Sequence, residues 1–156
     1  MKILHRLRGE METPRLLLRR WKPLDFQAFL RFAGDPEVML PAGSKPAQGL
    51  QEAETQFHRA LRDEGCYAMV LKGTGEPIGK IKFQEDLRRF RVNSLSIGYE
   101  LARAYWGRGL MAEALSAMVE EAFRRRGVEV LAISHFAQNQ RSRRVIEKCG
   151  FRYEGT

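Results

Sequence analysis

The stretch YWGRGLMAEA, residues 105–114, places two glycines one residue apart directly before the most regular helical pattern in the chain. Glycine lets a backbone take dihedral angles that a side chain forbids, and it lets a ligand approach closely. The first N–H groups of a helix have no intrahelical acceptor, and the helix dipole places positive charge beside them. The stretch therefore predicts a turn that can bind phosphate at the start of a helix.

Two short apolar runs flank this turn and its helix. Residues 95–101 precede it, and residues 128–134 follow a helix that is expected to end at Gly127. The second run is almost continuously apolar, which predicts a strand buried on both faces. Strand, helix and strand in this order indicate a parallel crossover. The turn then lies at the carboxyl end of the first strand, where open α/β sheets bind their ligands.

The rest of the chain predicts further strands and helices around this unit. Short apolar runs that indicate strands lie at residues 13–20, 66–72 and 78–84, the last two forming a hairpin that continues into 95–101. Helical spacing of apolar residues predicts helices at residues 24–33, 51–63, 110–126 and 139–149. Asp25 is expected to cap the first of these helices. Prolines and glycines predict a loop at 35–49, and residues 85–93 form a polar connection.

The composition indicates one globular domain. A chain of 156 residues with 44% hydrophobic and 29% charged residues can bury its own core. It holds no apolar run long enough to span a membrane, and residues 1–10 lack the apolar centre of a secretory signal, so a cytoplasmic protein is expected. The net charge of +8 favours an anionic partner, either nucleic acid or a phosphate-rich cofactor.

The cysteines and histidines give no metal-binding or redox spacing. Cys66 and Cys149 lie far apart in the sequence and are expected to be buried as small apolar residues. The three histidines form no cluster either, so no metal is expected.

The segment 107–112, GRGLMA, also fits the dinucleotide-binding pattern G-x-G-x-x-G/A. That fold needs this unit near its start and an acidic residue at the end of the next strand. Here the unit comes late and the next strand ends at Ser134 and His135, so the dinucleotide fold is not expected.

A second motif beyond the crossover supplies a better interpretation. Residues 139–151, NQRSRRVIEKCGF, form a short helix that is expected to end at Gly150. Together with residues 13–19, 97–101 and 106–114, they resemble the GNAT acetyltransferase superfamily, and within it the ribosomal-protein N-terminal (Rim-type) acetyltransferases. The resemblance implies an α/β fold of mixed α+β type. Its central twisted sheet is mostly antiparallel and flanked by helices, with a splayed parallel strand pair around 95–101 and 128–134.

The resemblance also implies acetyl-CoA as co-substrate. In the family, backbone N–H groups of the glycine turn receive the pyrophosphate, and the pantetheine arm pairs with the end of the preceding strand. The matching residues of this chain are Tyr99, Leu101, Trp106, Gly107, Arg108, Gly109, Leu110, Met111, Asn139 and Ser142. Met111 stands where the family usually has a small residue. The cationic side chains expected to serve the CoA phosphates are Arg108, Arg141, Arg143 and Arg144.

Acyl transfer to an amine needs a base, a donor for the oxyanion and a donor for the thiolate. Glu100 is the first candidate base, acting directly or through water, because it lies where the strand reaches the thioester. His135 is the rival base, because imidazole titrates near neutral pH. Ser142 is expected to donate a hydrogen bond to the sulfur, since the helix at 139–149 contains no tyrosine. A backbone N–H near residues 99–101 would stabilise the oxyanion.

These residues predict acetyl transfer from acetyl-CoA to a primary amine, a peptide N-terminus or a small molecule, by direct attack in a ternary complex. Two alternatives stay open: a CoA-binding regulatory module, and a basic RNA- or ribosome-associated domain without catalysis. The net charge and the arginine run at 124–126 permit the second of these alternatives, although nucleic acid is not the expected partner. A monomer or a homodimer is expected.

The domain is expected to span residues 11–156, ending before the last strands of the family. Residues 1–10 are expected to be an N-terminal extension, or to reflect an alternative start.

Overall fold

The computed structural model describes residues 9–89 and 91–156 in full and residues 4–5 as backbone. Its strands are β1 (Leu4–His5), β2 (Met11–Glu12), β3 (Leu16–Arg20), β4 (Cys66–Leu71), β5 (Glu76–Glu85), β6 (Ser94–Leu101) and β7 (Val130–Ile133). Its helices are α1 (Phe26–Ala33), α2 (Pro36–Met39), α3 (Leu50–Arg62), α4 (Leu110–Arg124) and α5 (Gln140–Lys148). Short 3-10 turns at Pro23–Asp25 and Arg103–Tyr105 precede α1 and the glycine turn.

The described strands form one sheet in chain order, from β1 to β7. Each neighbouring pair is antiparallel except β6 and β7, which are parallel and joined through α4. A parallel pair needs a long crossover, and α4 supplies it. This topology confirms the predicted mostly antiparallel sheet with one parallel pair. Several predicted boundaries coincide with the observed ones, and the others shift by one to three residues.

The parallel pair separates after a short ladder. Its register runs from Ser94 opposite Val130 to Ile97 opposite Ile133. Strand β6 continues to Leu101, whereas β7 ends at Ile133. The last part of β6 therefore has a strand partner only in β5, which confirms the predicted splay.

Two apolar clusters hold helices on opposite faces of the sheet. Alternate residues of a strand point to opposite faces, so a strand covered on both faces is apolar throughout, as β4 is. Helix α4 packs on one face through Leu115 and Met118, which are fully buried. On the other face, Phe29 and Phe57 meet the Trp21 ring edge-on with centroids 5.3 and 6.1 Å away.

Two predictions near the first helix are wrong. The segment expected to be a loop contains α2, because Pro36 stands at the first helical turn and the Asp35 side chain accepts the Glu37 N–H at 3.0 Å. Asp25 stands at the start of α1 but does not cap it. Its carboxylate instead accepts bonds from the Arg19 guanidinium at 2.8 and 3.0 Å and from the Lys22 N–H at 2.8 Å.

Strand β7 is less buried than its apolar sequence predicts. Only Leu131 is buried, while Val130 and Ile133 are half-buried. The reason is position: β7 is the last strand of the described sheet, and Ile133 borders a cavity as well as packing against the apolar cluster under α4. Cys66 is buried as predicted, whereas Cys149 is only half-buried.

The predicted N-terminal extension is described only in part. Residues 1–3 and 6–8 lie outside the described residues, as does Phe90 in the polar connection. Leu4–His5 pair with Met11–Glu12, so this part of the segment adds a short strand to the sheet. None of the helices in the described ranges combines the length and apolarity that crossing a membrane requires.

The buried side chains of α4 are expected to stabilise the domain. Replacing Leu115, which is 0% exposed, by alanine should lower the free energy of unfolding by about 2–5 kcal/mol, because it leaves a cavity against the sheet. Phe123→Ala on the same helix is the control and should cost about 1 kcal/mol or less, since Phe123 is 46% exposed. Urea unfolding followed by circular dichroism measures both. Equal losses would contradict this packing.

Candidate functional site

A cavity of about 760 Å³ opens where β6 and β7 separate. The end of β6, the glycine turn, the start of α4, the segment after β7 and the start of α5 line it. Of the predicted site residues, the cavity is lined by Tyr99, Glu100, Leu101, Trp106, Gly107, Gly109, Leu110, Met111, His135, Asn139 and Ser142. The splay therefore brings most of the predicted residues to one place.

The glycine turn has the backbone conformation that its sequence predicts. Gly107 and Gly109 both have φ of +75°, a region that favours glycine. Gly109 stands immediately before α4, and its carbonyl accepts the Glu113 N–H at 3.2 Å. The N–H groups of residues 110–112, between Gly109 and Glu113, belong to the first helical turn, where no intrahelical acceptor exists. Gly109 and Leu110 line the cavity, so this turn can present backbone donors to an anion.

Met111 occupies its position without filling the turn. Its side chain is 6% exposed and belongs to the apolar cluster between α4 and the sheet. The large side chain is thus accommodated in the core.

Backbone geometry leaves Tyr99 and Leu101 facing the gap. Neighbouring residues of a strand direct their N–H and C=O groups to opposite sides. The Ala102 N–H donates to the Ile78 carbonyl at 2.9 Å, on the β5 side. The backbone groups of Leu101 and Tyr99 therefore point to the side from which β7 has diverged.

Trp106 connects the glycine turn to the end of β6. Its indole Nε1–H donates to the Leu101 carbonyl at 2.7 Å, which satisfies one of the groups that face the gap. The Arg141 guanidinium lies over the Trp106 ring, 3.3 Å from its centre, in a cation–π contact. Burial lowers the pKa of Arg141 from its ordinary value. The two side chains link the glycine turn to α5 across the cavity.

A second set of contacts holds the glycine turn from the N-terminal part of the chain. Glu113, in the first turn of α4, accepts bonds from the Thr13 hydroxyl at 2.6 Å, the Arg15 N–H at 2.9 Å and Arg15 Nε at 3.0 Å. Arg15 also donates through a terminal nitrogen to the Arg108 carbonyl, inside the turn, at 2.8 Å. Burial opposes ionisation of Glu113, but these bonds outweigh it and hold the pKa of the carboxyl below its usual value.

Glu100 is a buried carboxylate on the opposite face of β6 from Tyr99. It is 5% exposed, and its Oε1 accepts the Ser44 hydroxyl at 2.7 Å. The Lys80 ammonium lies 3.2 Å from Oε2, which is ion-pair distance, but the two are not aligned as a hydrogen bond. Lys80 stands opposite Glu100 in the ladder of β5 and β6. Removing either charge would leave the other buried and uncompensated, which is destabilising.

Two hydroxyl groups meet beside the glycine turn. The Tyr99 hydroxyl lies 2.5 Å from Ser142 Oγ, and either can donate. Burial raises the pKa of the Tyr99 phenol, so the group stays protonated at neutral pH. Asn139 fixes the start of α5, because its Oδ1 accepts the Ser142 N–H at 3.1 Å while its Nδ2 donates to the Pro41 carbonyl at 3.2 Å. Its side chain thereby positions Ser142.

Some of the remaining predicted residues line the cavity and others lie outside it. His135 is half-buried at the edge of the cavity, with Nδ1 2.7 Å from the Phe136 carbonyl. Arg141 and Arg144 line the cavity. Arg108 lies over the Tyr105 ring at 5.4 Å, and Arg143 forms an exposed ion pair with Glu147 at 2.8 Å. In the described ranges, no three His, Cys, Asp or Glu side chains are grouped so that they could hold a metal ion.

Several residues of this site are not predicted from the sequence. Ser44 lies in a segment that is predicted only as a loop, and Lys80 lies in a strand that is predicted from its apolar residues alone. Alternation along β5 and β6 is the signal that would have paired Lys80 with Glu100. The Tyr99 side chain was expected only near the cofactor, not as a partner of Ser142. The spacing of Arg15 and Glu113 in the sequence carries no signal for their contact.

Comparison with known proteins agrees with this geometry. The family model described as "Acetyltransferase (GNAT) domain" matches residues 15–152, and the chain belongs to that acetyltransferase family. It is 29% identical over 150 residues to an uncharacterized N-acetyltransferase of Bacillus subtilis, YoaA, covering 93% of this chain and 84% of that protein.

Two solved structures show the same fold at low sequence identity. A ribosomal-protein-S5-alanine acetyltransferase from Vibrio fischeri superposes with a TM-score of 0.73 at 20% identity, covering 94% of this chain and 84% of that one. A spermidine N-acetyltransferase from Vibrio cholerae, solved with CoA and spermine, gives a TM-score of 0.74 at 18% identity, covering 90% and 83%. The family model confirms the predicted GNAT family, and these structures confirm the predicted fold; one of them is a ribosomal-protein-S5-alanine acetyltransferase.

The contacts of Glu113 predict a pH-dependent stability. A carboxyl whose pKa is lowered on folding stabilises the fold at pH values above its unfolded pKa, ordinarily about 4.5, and loses that contribution as the pH falls through the folded pKa. Glu113→Gln should therefore unfold more easily than the wild type at pH 7, with the difference shrinking below about pH 4. Its melting temperature at pH 7 should fall as well, because the turn loses its support.

Glu147→Gln is the matched control, since it removes one carboxylate from an exposed ion pair on α5. It should change neither quantity. A difference in unfolding free energy between Glu113→Gln and wild type that is independent of pH would contradict the role given to the Glu113 charge.

Proposed function

We propose that the protein transfers an acetyl group from acetyl-CoA to a primary amine. Family membership supports acetyl transfer, and the observation that carries the rest is the unpaired end of β6 beside a glycine turn at a helix start. In this proposal, Leu101 and Tyr99 offer backbone groups to the pantetheine arm, and the amides of the glycine turn receive the pyrophosphate. Arg141 and Arg144 supply positive charge for the CoA phosphates.

The acceptor amine attacks the thioester carbonyl directly. Its nitrogen forms the new C–N bond, the carbonyl oxygen carries the developing negative charge, and a backbone N–H near Tyr99 to Leu101 stabilises that oxygen. Glu100 takes the amine proton, directly or through a water that replaces the Ser44 hydroxyl. The C–S bond then breaks, and the leaving sulfur receives a hydrogen bond from the Tyr99–Ser142 hydroxyl pair.

Glu100 is favoured over His135 as the base by its surroundings. A carboxylate that is 5% exposed and close to a lysine stays in a fixed position against the cavity. His135 is half-buried at the cavity edge and has no charged partner that would hold it in place among the described contacts.

Acetyl-CoA itself provides the first test. Because a ligand that binds only the folded state stabilises it, millimolar CoA should raise the melting temperature of the protein. Thiol release from acetyl-CoA in the presence of an amine panel should then follow. No stabilisation by CoA would refute the proposal in favour of a basic RNA-binding domain. Stabilisation without thiol release for any amine would leave a CoA-binding regulatory module.

Substitution of Glu100 tests the assignment of the base. Glu100→Gln should lower kcat at pH 7 by about 100-fold or more while the melting shift with CoA is kept. His135→Gln should retain turnover, and unchanged turnover in Glu100→Gln would transfer the role to His135. Since Glu100→Gln leaves the Lys80 charge uncompensated, the double variant Glu100→Gln with Lys80→Met keeps the test valid if the single variant unfolds.

A further inference from the structure

The cavity extends beyond Glu100, away from the glycine turn, to a region where the functions described so far use no residue. Two residues line the cavity there: Gln84, near the end of β5, and Arg88, in the connection to β6. Gln84 stands opposite Ser96, and Lys80 stands opposite Glu100 in the same ladder. Because the side chains of alternate residues share one face, Gln84 lies on the face of the sheet that carries Glu100.

Gly98 makes room for the Gln84 side chain. A Cβ atom at residue 98 would lie 3.3 Å from both the Oε1 and the Nε2 of Gln84, so the amide rests above this glycine. Gly98 is two residues from Glu100, which is about 7 Å along a strand. The Gln84 amide forms no hydrogen bond with any described residue, so its donor is available to a ligand.

Arg88 carries the charge of this region. Its backbone N–H donates to Asp86 Oδ1 at 3.1 Å, but the guanidinium has no ion pair with any described residue. The neighbouring Arg89 differs, since it pairs with Asp86 at 3.2 Å and with Glu154. The chain thus neutralises Arg89 and leaves Arg88 at the cavity.

The cavity as a whole is poor in negative charge. Glu100 is the one carboxylate among its described lining residues, and Lys80 stands 3.2 Å from it. Three arginines line it, two on α5 near the glycine turn and Arg88 at the opposite end. A polycationic amine would find no free carboxylate to bind its second charge.

We propose that Arg88 and Gln84 form a subsite for a carboxylate carried by the acceptor, about 7 Å from the nitrogen that is acetylated. The acceptor is then an amine with an anionic group, such as a peptide N-terminus with an acidic side chain, and not a polyamine. The α-carboxylate of a single amino acid lies too near its own nitrogen to reach. The inference rests on the proposed acetyl transfer at Glu100.

The test compares the tripeptide amides Ser-Glu-Ala, Ser-Gln-Ala and Ser-Lys-Ala, which differ in one side chain, together with spermidine. In the wild type, kcat/KM for the Glu peptide should exceed that for the Gln peptide about tenfold, because a charge-assisted bond replaces a neutral one. The Lys peptide and spermidine should rank lowest. The dipeptide Ser-Ala with a free carboxyl terminus distinguishes a small aminocarboxylate from an acidic side chain as the source of the charge.

Arg88→Gln should reduce the Glu-to-Gln ratio to about one and leave kcat for the Gln peptide unchanged. Arg91→Gln is the matched control, because Arg91 is exposed in the same connection and does not line the cavity. An unchanged ratio in Arg88→Gln, an equal loss in Arg91→Gln, or a preference of the wild type for spermidine would overturn the subsite.

Calorimetric binding of the same peptides to the CoA-saturated protein separates this inference from the proposed function. Preferential binding of the Glu peptide that Arg88→Gln abolishes, without thiol release, would sustain the subsite and refute the acetyl transfer. Thiol release with no preference among the peptides would sustain the acetyl transfer and refute the subsite. Absence of both the binding and the turnover preference would refute the subsite.

Discussion

The separation of β6 from β7 after a ladder of four residues is the constraint on which the rest of the site depends. An unpaired backbone edge is costly to bury and prone to pair with another chain, so a fold that retains one usually covers or uses it. Here the exposed edge lies within a cavity, and Trp106 satisfies one of its carbonyls. The glycine turn begins only a few residues beyond that edge, so an extended ligand with a phosphate at one end meets both features along one line.

In the proposed reaction, the two faces of β6 carry different chemical groups. Tyr99 points to the face covered by α4 and α5, where it meets Ser142, while Glu100 points to the face covered by α1 and α3, where it meets Lys80 and Ser44. Groups that act on the leaving sulfur and on the attacking amine need to approach the thioester from different sides. A strand supplies that arrangement through the alternation of neighbouring side chains.

The order of elements and the parallel crossover follow from local periodicity and from the glycines of the turn. The resemblance to the acetyltransferase family supplies the predicted site residues, and most of them line the cavity. The sequence does not predict Ser44 or the contacts of Arg15 with Glu113, since each joins residues far apart in the chain and leaves no periodic signal. Lys80 is missed for another reason, because β5 is predicted from its apolar residues and the alternation that pairs Lys80 with Glu100 is not used. The error on β7 has a similar cause: an apolar run is the same whether it packs against a layer or borders a cavity. Asp25 was misassigned because Arg19, one strand earlier, competes for its carboxylate.

The segment from Pro41 to Ser44 contacts both halves of the site, which are the start of α5 and the face of β6 that carries Glu100. The Pro41 carbonyl accepts a hydrogen bond from the Asn139 side chain at the start of α5, and the Ser44 hydroxyl donates one to the Glu100 carboxylate. Any ligand that moves this segment changes contacts in both halves. Thermodynamic reciprocity then requires that, if the acceptor displaces Ser44 and thereby alters the affinity for CoA, CoA alters the affinity for the acceptor by the same factor. In the proposed reaction, the coupling between the affinities for the two substrates is therefore a property of these four residues of loop as much as of either binding surface.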